Sequence, residues 1–193
     1  MNVRRRMWSA ALLASSMLVS LMLAPVASAA PADNGTIKVR LSDQECAAVV
    51  ALTGKPASKA CYELISYGTG SPDGNLVAAA ACYVPPGYTH CGSVWVKSQS
   101  VLLLWSVTST AGYVRNSSTG KVRWQWVTCT KTAFGYTVTI TWCGSYHNGL
   151  PDTNFGANFD VSVLVQGSPL TVSHGHRYSI NGYSGAGCCL QSW

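Results

Sequence analysis

Six stretches in the second half of the chain alternate between apolar and polar side chains, the period of a strand with one buried face. They cover residues 94–97, 101–108, 121–130, 136–143, 159–165 and 177–180, and are rich in Val, Ile, Thr, Trp and Tyr. Clusters of Gly, Asn, Ser and Pro separate them, as turns require. Short strands at this spacing predict an antiparallel β-sandwich or a small barrel over residues 93–193.

One hairpin can be worked out in detail. Val122, Trp124 and Trp126 share a face of one strand, and Val138, Ile140 and Trp142 share a face of the next. A turn around residues 131–135 then sets Trp124 against Trp142 and Trp126 against Ile140. The same register sets Cys129 opposite Thr137, six residues from Cys143. At about 3.3 Å per residue that separation exceeds the reach of a disulfide. The expectation is that Cys129 and Cys143 bond elsewhere.

Residues 42–66 carry a helical signature. Ser42 followed by Glu45 is a capping box, and it opens a helix over 43–53. Gly54 stands where a C-cap glycine belongs, and Lys55-Pro56 follows. Pro56 also suits the start of a second helix over 57–65. Cys46 lies in the first helix and Cys61 in the second, so a bridge between them would clamp the pair. The predicted fold is mainly β: an antiparallel sandwich or small barrel preceded by a short disulfide-clamped helical hairpin.

Residues 67–92 complete that hairpin unit (42–92) as a linker of Gly, Pro, Ser and Asp, with an alanine run at 78–81 that suits either strand or helix. Cys82 and Cys91 flank its Pro85-Pro86-Gly87 turn, and either close that loop or reach other elements. Residues 30–41 have no helical turn. They read as a disordered tail or as a strand for a partner's sheet edge, with Thr36, Ile37, Lys38, Val39, Arg40 and Leu41 as the strap.

The first 29 residues differ from everything after them. Arg4, Arg5 and Arg6 precede an uncharged run over 8–24, and Ala27-Ser28-Ala29 supplies the small side chains a signal peptidase reads. The expectation is a signal peptide over 1–29, cut before Ala30, and a secreted extracellular product with no membrane span. A membrane anchor is the rival reading. Ser9, Ser15, Ser16, Ser20 and Pro25 interrupt the run, and a spanning helix needs about 20 mainly apolar residues.

Removing the leader changes the charge. The full chain has 13 Lys+Arg and 7 Asp+Glu; subtracting three leader arginines leaves 10 against 7, or +3 rather than +6. These cations are scattered, so the basic stripe that nucleic-acid binding needs is missing. The leader also sets the redox context. Cys46, Cys61, Cys82, Cys91, Cys129, Cys143, Cys188 and Cys189 are eight cysteines behind an export signal, which reads as four disulfides. The spacings contain no C-x2-C pair for zinc. A bridge between the neighbours Cys188 and Cys189 would be strained, so each is expected to pin the C-terminal tail to an earlier cysteine.

Candidate chemistry is sparse. His174 and His176 flank a glycine, and His147 or Asp152 would have to complete a metal site; no full ligand motif is present, so no metal or cofactor is expected. After the leader the acids are Asp33, Asp43, Glu45, Glu63, Asp73, Asp152 and Asp160, few for acid–base catalysis. Aromatic residues are abundant instead. The loop carrying Tyr146, His147, Asn148, Asp152 and Phe155 mixes rings with amide and carboxylate groups and suits a sugar or a peptide. Its rival reading is a hairpin connection built on Asn-Gly and Pro-Asp turns. Asn34 and Asn116 stand in glycosylation-acceptor triplets.

The order of segments resembles that of small secreted, disulfide-rich β proteins of actinomycete-type bacteria. The residues that carry the likeness are Ser42-Asp43-Gln44-Glu45-Cys46, Trp105, Gly112-Tyr113, Thr141-Trp142-Cys143-Gly144, Asn158-Phe159 and His176-Arg177-Tyr178. In size and in its extended N-terminal segment the chain is also similar to the small adaptor subunit of secreted umbrella-shaped toxin particles. That resemblance implies a non-enzymatic link between a toxin stalk and a lectin-bearing subunit, and it transfers no functional residue. The expected function is a non-catalytic binding or adaptor module for an extracellular protein or glycan. The alternatives are a small hydrolase or antibacterial effector using a histidine with Asp152, and a structural envelope-associated protein.

Overall fold

The computed structural model describes residues 34–70, 72, 82–165 and 167–193, without the side chains of Asp152, Cys188 and Cys189. The expected signal peptide and the alanine run lie outside the described residues. The elements are β1 (Gly35–Arg40), α1 (Asp43–Thr53), α2 (Ala57–Ala60), β2 (Tyr62–Thr69), β3 (His90–Ser100), β4 (Trp105–Arg115), β5 (Val122–Ala133), β6 (Thr137–Tyr146), β7 (Asp152–Val165), β8 (Ser168–Asn181) and β9 (Gly187–Ser192). They form two antiparallel sheets, β1-β2-β3-β4-β5 and β6-β7-β8-β9. Each strand pairs with its neighbour in sequence, and the chain changes sheet between β5 and β6.

The sheets face each other as a sandwich. Ile65, Val94, Val96, Val122 and Trp124 of the first sheet pack on Phe155, Tyr178 and Ile180 of the second. A second cluster joins Trp105 and Val107 to Val138, Phe159 and Val161. Burying such side chains contributes ~1.5–3 kcal/mol each.

The first helix is the predicted one. Ser42 Oγ accepts the Glu45 N–H at 3.3 Å, and Gly54 closes the helix at φ 64°, donating its N–H to Val50 O. The Glu45 side chain does not complete the capping box; it turns inward to His174. Ser42→Ala is therefore expected to lose about 1 kcal/mol of stability, read as a lower urea midpoint.

The second helix is much shorter than predicted. It stops at Ala60, and residues 62–69 form β2, with Glu63 and Ile65 facing inward. Alternation won over helix propensity because β2 pairs with β1 and β3 and buries that face against the second sheet, Ile65 among Phe155, Tyr178 and Ile180 and Glu63 on His174. The predicted linker is thus partly strand, and so is the strap: Thr36 pairs with Ser66, Lys38 with Leu64 and Arg40 with Tyr62. The strap lies on the protein's own sheet edge, and Leu41 is buried beside Val49 and Ala60. Residues 101–104, predicted as the start of a strand, form a turn instead.

The hairpin expectation fails. The partner of β5 is β4, not β6: Trp124 pairs with Tyr113 and Trp126 with Gly112. A bulge between these pairs reverses the alternation, so Trp124 is buried while Trp126 turns outward onto Gly112. β6 bulges between Ile140 and Trp142. Each bulge inserts a residue and exchanges the faces beyond it. Cys129 and Cys143 are thereby brought together across the two sheets, and they are bonded, with Cα atoms 6.0 Å apart. Cys46–Cys61 and Cys82–Cys91 are the other two described bridges. The three pairs use all six earlier cysteines, so none is left for Cys188 or Cys189.

Candidate functional site

The outer face of the second sheet carries an aromatic and cationic cluster. β7 directs Phe155, Ala157 and Phe159 into the core, leaving Asn154, Gly156 and Asn158 on the outside. Register then places Tyr146 beside Asn154 and Trp142 beside Asn158, with Arg177 beside Gly156. The bulge after Ile140 is what turns Trp142 to this face. Trp193 is held by backbone hydrogen bonds with Gly175 at 3.0 and 3.3 Å. Its ring lies on that glycine, where a Cβ would come within 2.3 Å of the indole.

The side chains form one group. Trp142 stacks on Tyr146 with centroids 4.5 Å apart and planes inclined by 26°. The Arg177 guanidinium carbon lies 4.6 Å from the Tyr146 centroid, 4.7 Å from Trp193 and 5.6 Å from Trp142. Each such contact is worth about 0.5–2 kcal/mol. Tyr146 is 37% exposed and Trp193 52%. No carboxylate among the described residues pairs with Arg177. Arg177 Nε, Asn154 Oδ1 and Asn158 Oδ1 are buried without a hydrogen-bond partner among the described residues.

Two histidines occupy the interior. His174 Nδ1 lies 3.2 Å from Glu63 Oε2 and Nε2 lies 2.8 Å from Glu45 Oε1, the latter off the N–H direction. Phe159 stacks parallel to the imidazole at 5.5 Å. Burial disfavours the charge on His174, but the contacts to Glu45 and Glu63 outweigh it and hold the pKa at about 9. A cavity of about 160 Å³ adjoins this triad, lined also by Arg40, Leu41 and Trp193. His176 is the opposite case. It sits between Ser98 Oγ at 2.8 Å and Ser109 Oγ at 2.7 Å, and burial lowers its pKa to about 3. It is a neutral imidazole with one serine for each nitrogen.

The structure separates the residues grouped by the sequence. Tyr146 belongs to the outer cluster. His147 is exposed in the β6–β7 turn at φ 56°, apart from His174 and His176 in the middle of β8. Among the described residues His147 is therefore not brought together with His174 and His176. Asn148 Oδ1 accepts the Trp124 N–H at 2.8 Å, a structural bond. Phe155 is fully buried and presents nothing to a ligand, because its even spacing from Ala157 and Phe159 places it on the core face. The Asp152 side chain lies outside the described residues. Asn116 donates to Gly87 O and accepts from Ser118 and Thr119, so its amide is engaged locally.

Sequence reasoning missed Trp142, Arg177 and Trp193. A usable signal existed in Gly144, Gly156 and Gly175, glycines inside strands, which mark places where another group comes close to the backbone. No family model matches the chain, and neither does any curated protein or solved structure.

Proposed function

We propose that this chain is a secreted, disulfide-stabilised binding module that performs no chemistry and recognises an extracellular protein or glycan through the outer face of its second sheet. The observation that carries the reading is the Trp142–Tyr146–Arg177–Trp193 cluster, four large side chains gathered on a solvent-facing sheet with a guanidinium at their centre. Exposed aromatics stack on sugar rings or anchor protein partners, and Trp, Tyr and Arg dominate binding hot spots. The adaptor role implied by the toxin-particle resemblance is one form this recognition takes.

Extracellular localisation is supported by three disulfides and by the leader's sequence. Among the described residues no helix is long and apolar enough to cross a membrane. N-terminal sequencing of protein from culture medium should begin near Ala30. Intact Met1 in a membrane pellet would count against export.

The binding test uses tagged protein in a glycan array and in pull-downs from culture medium. Trp142→Ala and Trp193→Ala should each weaken the captured interaction roughly tenfold, a typical loss for an aromatic anchor. Gly175→Ala should act in the same direction without removing a ring, because its Cβ displaces the Trp193 indole. Binding that survives all three substitutions would place recognition elsewhere on the molecule. If no protein or glycan is captured, the module reading fails.

A further inference from the structure

We infer that the outer-face cluster is a subsite for a carboxylate-bearing sugar, with the Arg177 guanidinium taking the carboxylate and the aromatic rings taking the faces of the pyranose. The inference rests on the binding-module reading and specifies its ligand.

The cation comes first. Arg177 is partly buried and central to the cluster, and none of the described acids pairs with it. Asp160 shares the outer face but hydrogen-bonds to Ser173 at 2.7 Å. It lies four residues from Gly156, the β7 partner of Arg177, or about 13 Å at ~3.3 Å per residue. Three rings lie around the guanidinium, and the edge formed by its two terminal nitrogens is not among the buried atoms. That edge is the fork that matches a carboxylate with two parallel hydrogen bonds.

The second observation concerns buried polar atoms. Arg177 Nε lacks an acceptor, while Asn154 Oδ1 and Asn158 Oδ1 lack donors. A buried polar atom left unpaired costs about 1–3 kcal/mol, so the side chains of this face leave polar groups unsatisfied around the cation. The terminal nitrogens of Arg177 are not among these buried atoms, and a carboxylate supplies the acceptor they need while sugar hydroxyls meet the accessible polar rim. A neutral sugar lacks the charged acceptor, and an acidic peptide lacks the flat C–H faces that stack on indole and phenol rings.

The third observation is the exposed ring area. Trp193 and Tyr146 remain open to solvent beside the cation, so a ring and its substituent carboxylate can be engaged together. Gly144 and Gly175 carry no side chain under the Trp142 and Trp193 rings, which therefore lie close to the backbone.

The test is titration calorimetry of the intact protein with a uronic-acid oligosaccharide and with its fully methyl-esterified form. The two share their rings and hydroxyls and differ in charge. The acid form should bind at least tenfold more tightly than the ester, and the difference should shrink as salt rises. Arg177→Gln should abolish the preference, bringing the acid form and the ester to the same affinity. Arg177→Lys keeps the charge without the fork and should fall between. Trp193→Ala should weaken both ligands. Melting curves exclude misfolding as the cause.

Equal binding of acid and ester, with Arg177→Gln silent, overturns the inference while the glycan-module reading stands. Failure of both sugars, together with capture of a purified protein partner that is lost on Trp142→Ala, also overturns it and leaves a protein-binding module. Absence of any glycan or protein ligand defeats the parent reading itself.

Discussion

Raising the pH from 6.5 to above 9 is expected to cost this protein about 3 kcal/mol of folding stability, and His174 is the reason. Its pKa is raised from 6.5 to about 9, and each tenfold change in proton affinity is worth about 1.4 kcal/mol. The folded state binds this proton more tightly than the unfolded chain does. The contribution is therefore complete below pH 6.5, declines between 6.5 and 9, and is lost above 9. Little solvent screens the triad, since only 6% of the His174 side chain is exposed. The groups facing it are Glu45 from α1 and Glu63 from β2, with uncharged Phe159 and Trp105 on its ring faces. Urea midpoints at constant ionic strength should fall across this range. His174→Gln should be weaker below pH 9, where wild type holds a cation between the two carboxylates, should approach wild type above that pH, and should lose the slope between 6.5 and 9. Glu45→Gln should move the decline to lower pH by removing one of the two supports. A wild-type midpoint that is the same at pH 6.5 and 9.5, or an imidazole resonance of His174 titrating at its ordinary value, would sink the assignment.

That triad shows how far the sequence could be read. Glu45 was identifiable as a capping residue, and His174 as one of two histidines around a glycine. Nothing local says that they meet, because helix α1, strand β2 and strand β8 converge only through the sheet packing. Periodicity did better with elements than with partners. The first helix, the Cys46–Cys61 clamp and the mainly β, antiparallel character all follow from caps and alternation, which left sandwich and barrel open. Pairing went astray at the β5–β6 connection. The alternation of Val122, Trp124 and Trp126 predicts one continuous face, but a bulge reverses it after Trp124. A bulge leaves no mark in polar–apolar patterning except a misplaced aromatic, here the exposed Trp126. The outer cluster was half legible for the same reason. Tyr146 was visible as a loop aromatic, whereas Trp142 reaches that face only through the second bulge. Arg177 and Trp193 come from the far end of the chain, joined to it by the β8 register and the Gly175 backbone bonds.

Removing the Cys129–Cys143 bridge is expected to destabilise the protein by about 3 kcal/mol. The bond closes a loop of sequence separation 14, and a loop of ~15 residues corresponds to about 3 kcal/mol of lost chain entropy in the unfolded state. For a domain of this size such a loss lowers Tm by roughly 6–12 °C. Among the described bridges it joins the two sheets, one sulfur on β5 and the other on β6. The best replacement is Cys129→Ala with Cys143→Ser, since Cys129 packs against the Trp105–Phe159 cluster while Cys143 is exposed. Cys129 Sγ also lies 3.4 Å from Ser109 Oγ, which bonds the buried His176. Loosening the staple should therefore raise hydrogen exchange at Ser109 and His176 more than at the distant α1 helix. A non-reduced peptide map should contain residues 129 and 143 in one linked fragment. If Cys129 were found bonded elsewhere, the covalent link between β5 and β6 would be refuted and the predicted loss of stability with it. A double variant melting within 2 °C of wild type would instead show that the sheets hold each other through Trp105, Phe159 and their neighbours alone. β6 is an edge strand of its sheet, so covalent attachment to β5 compensates for the neighbour that β6 lacks on that side.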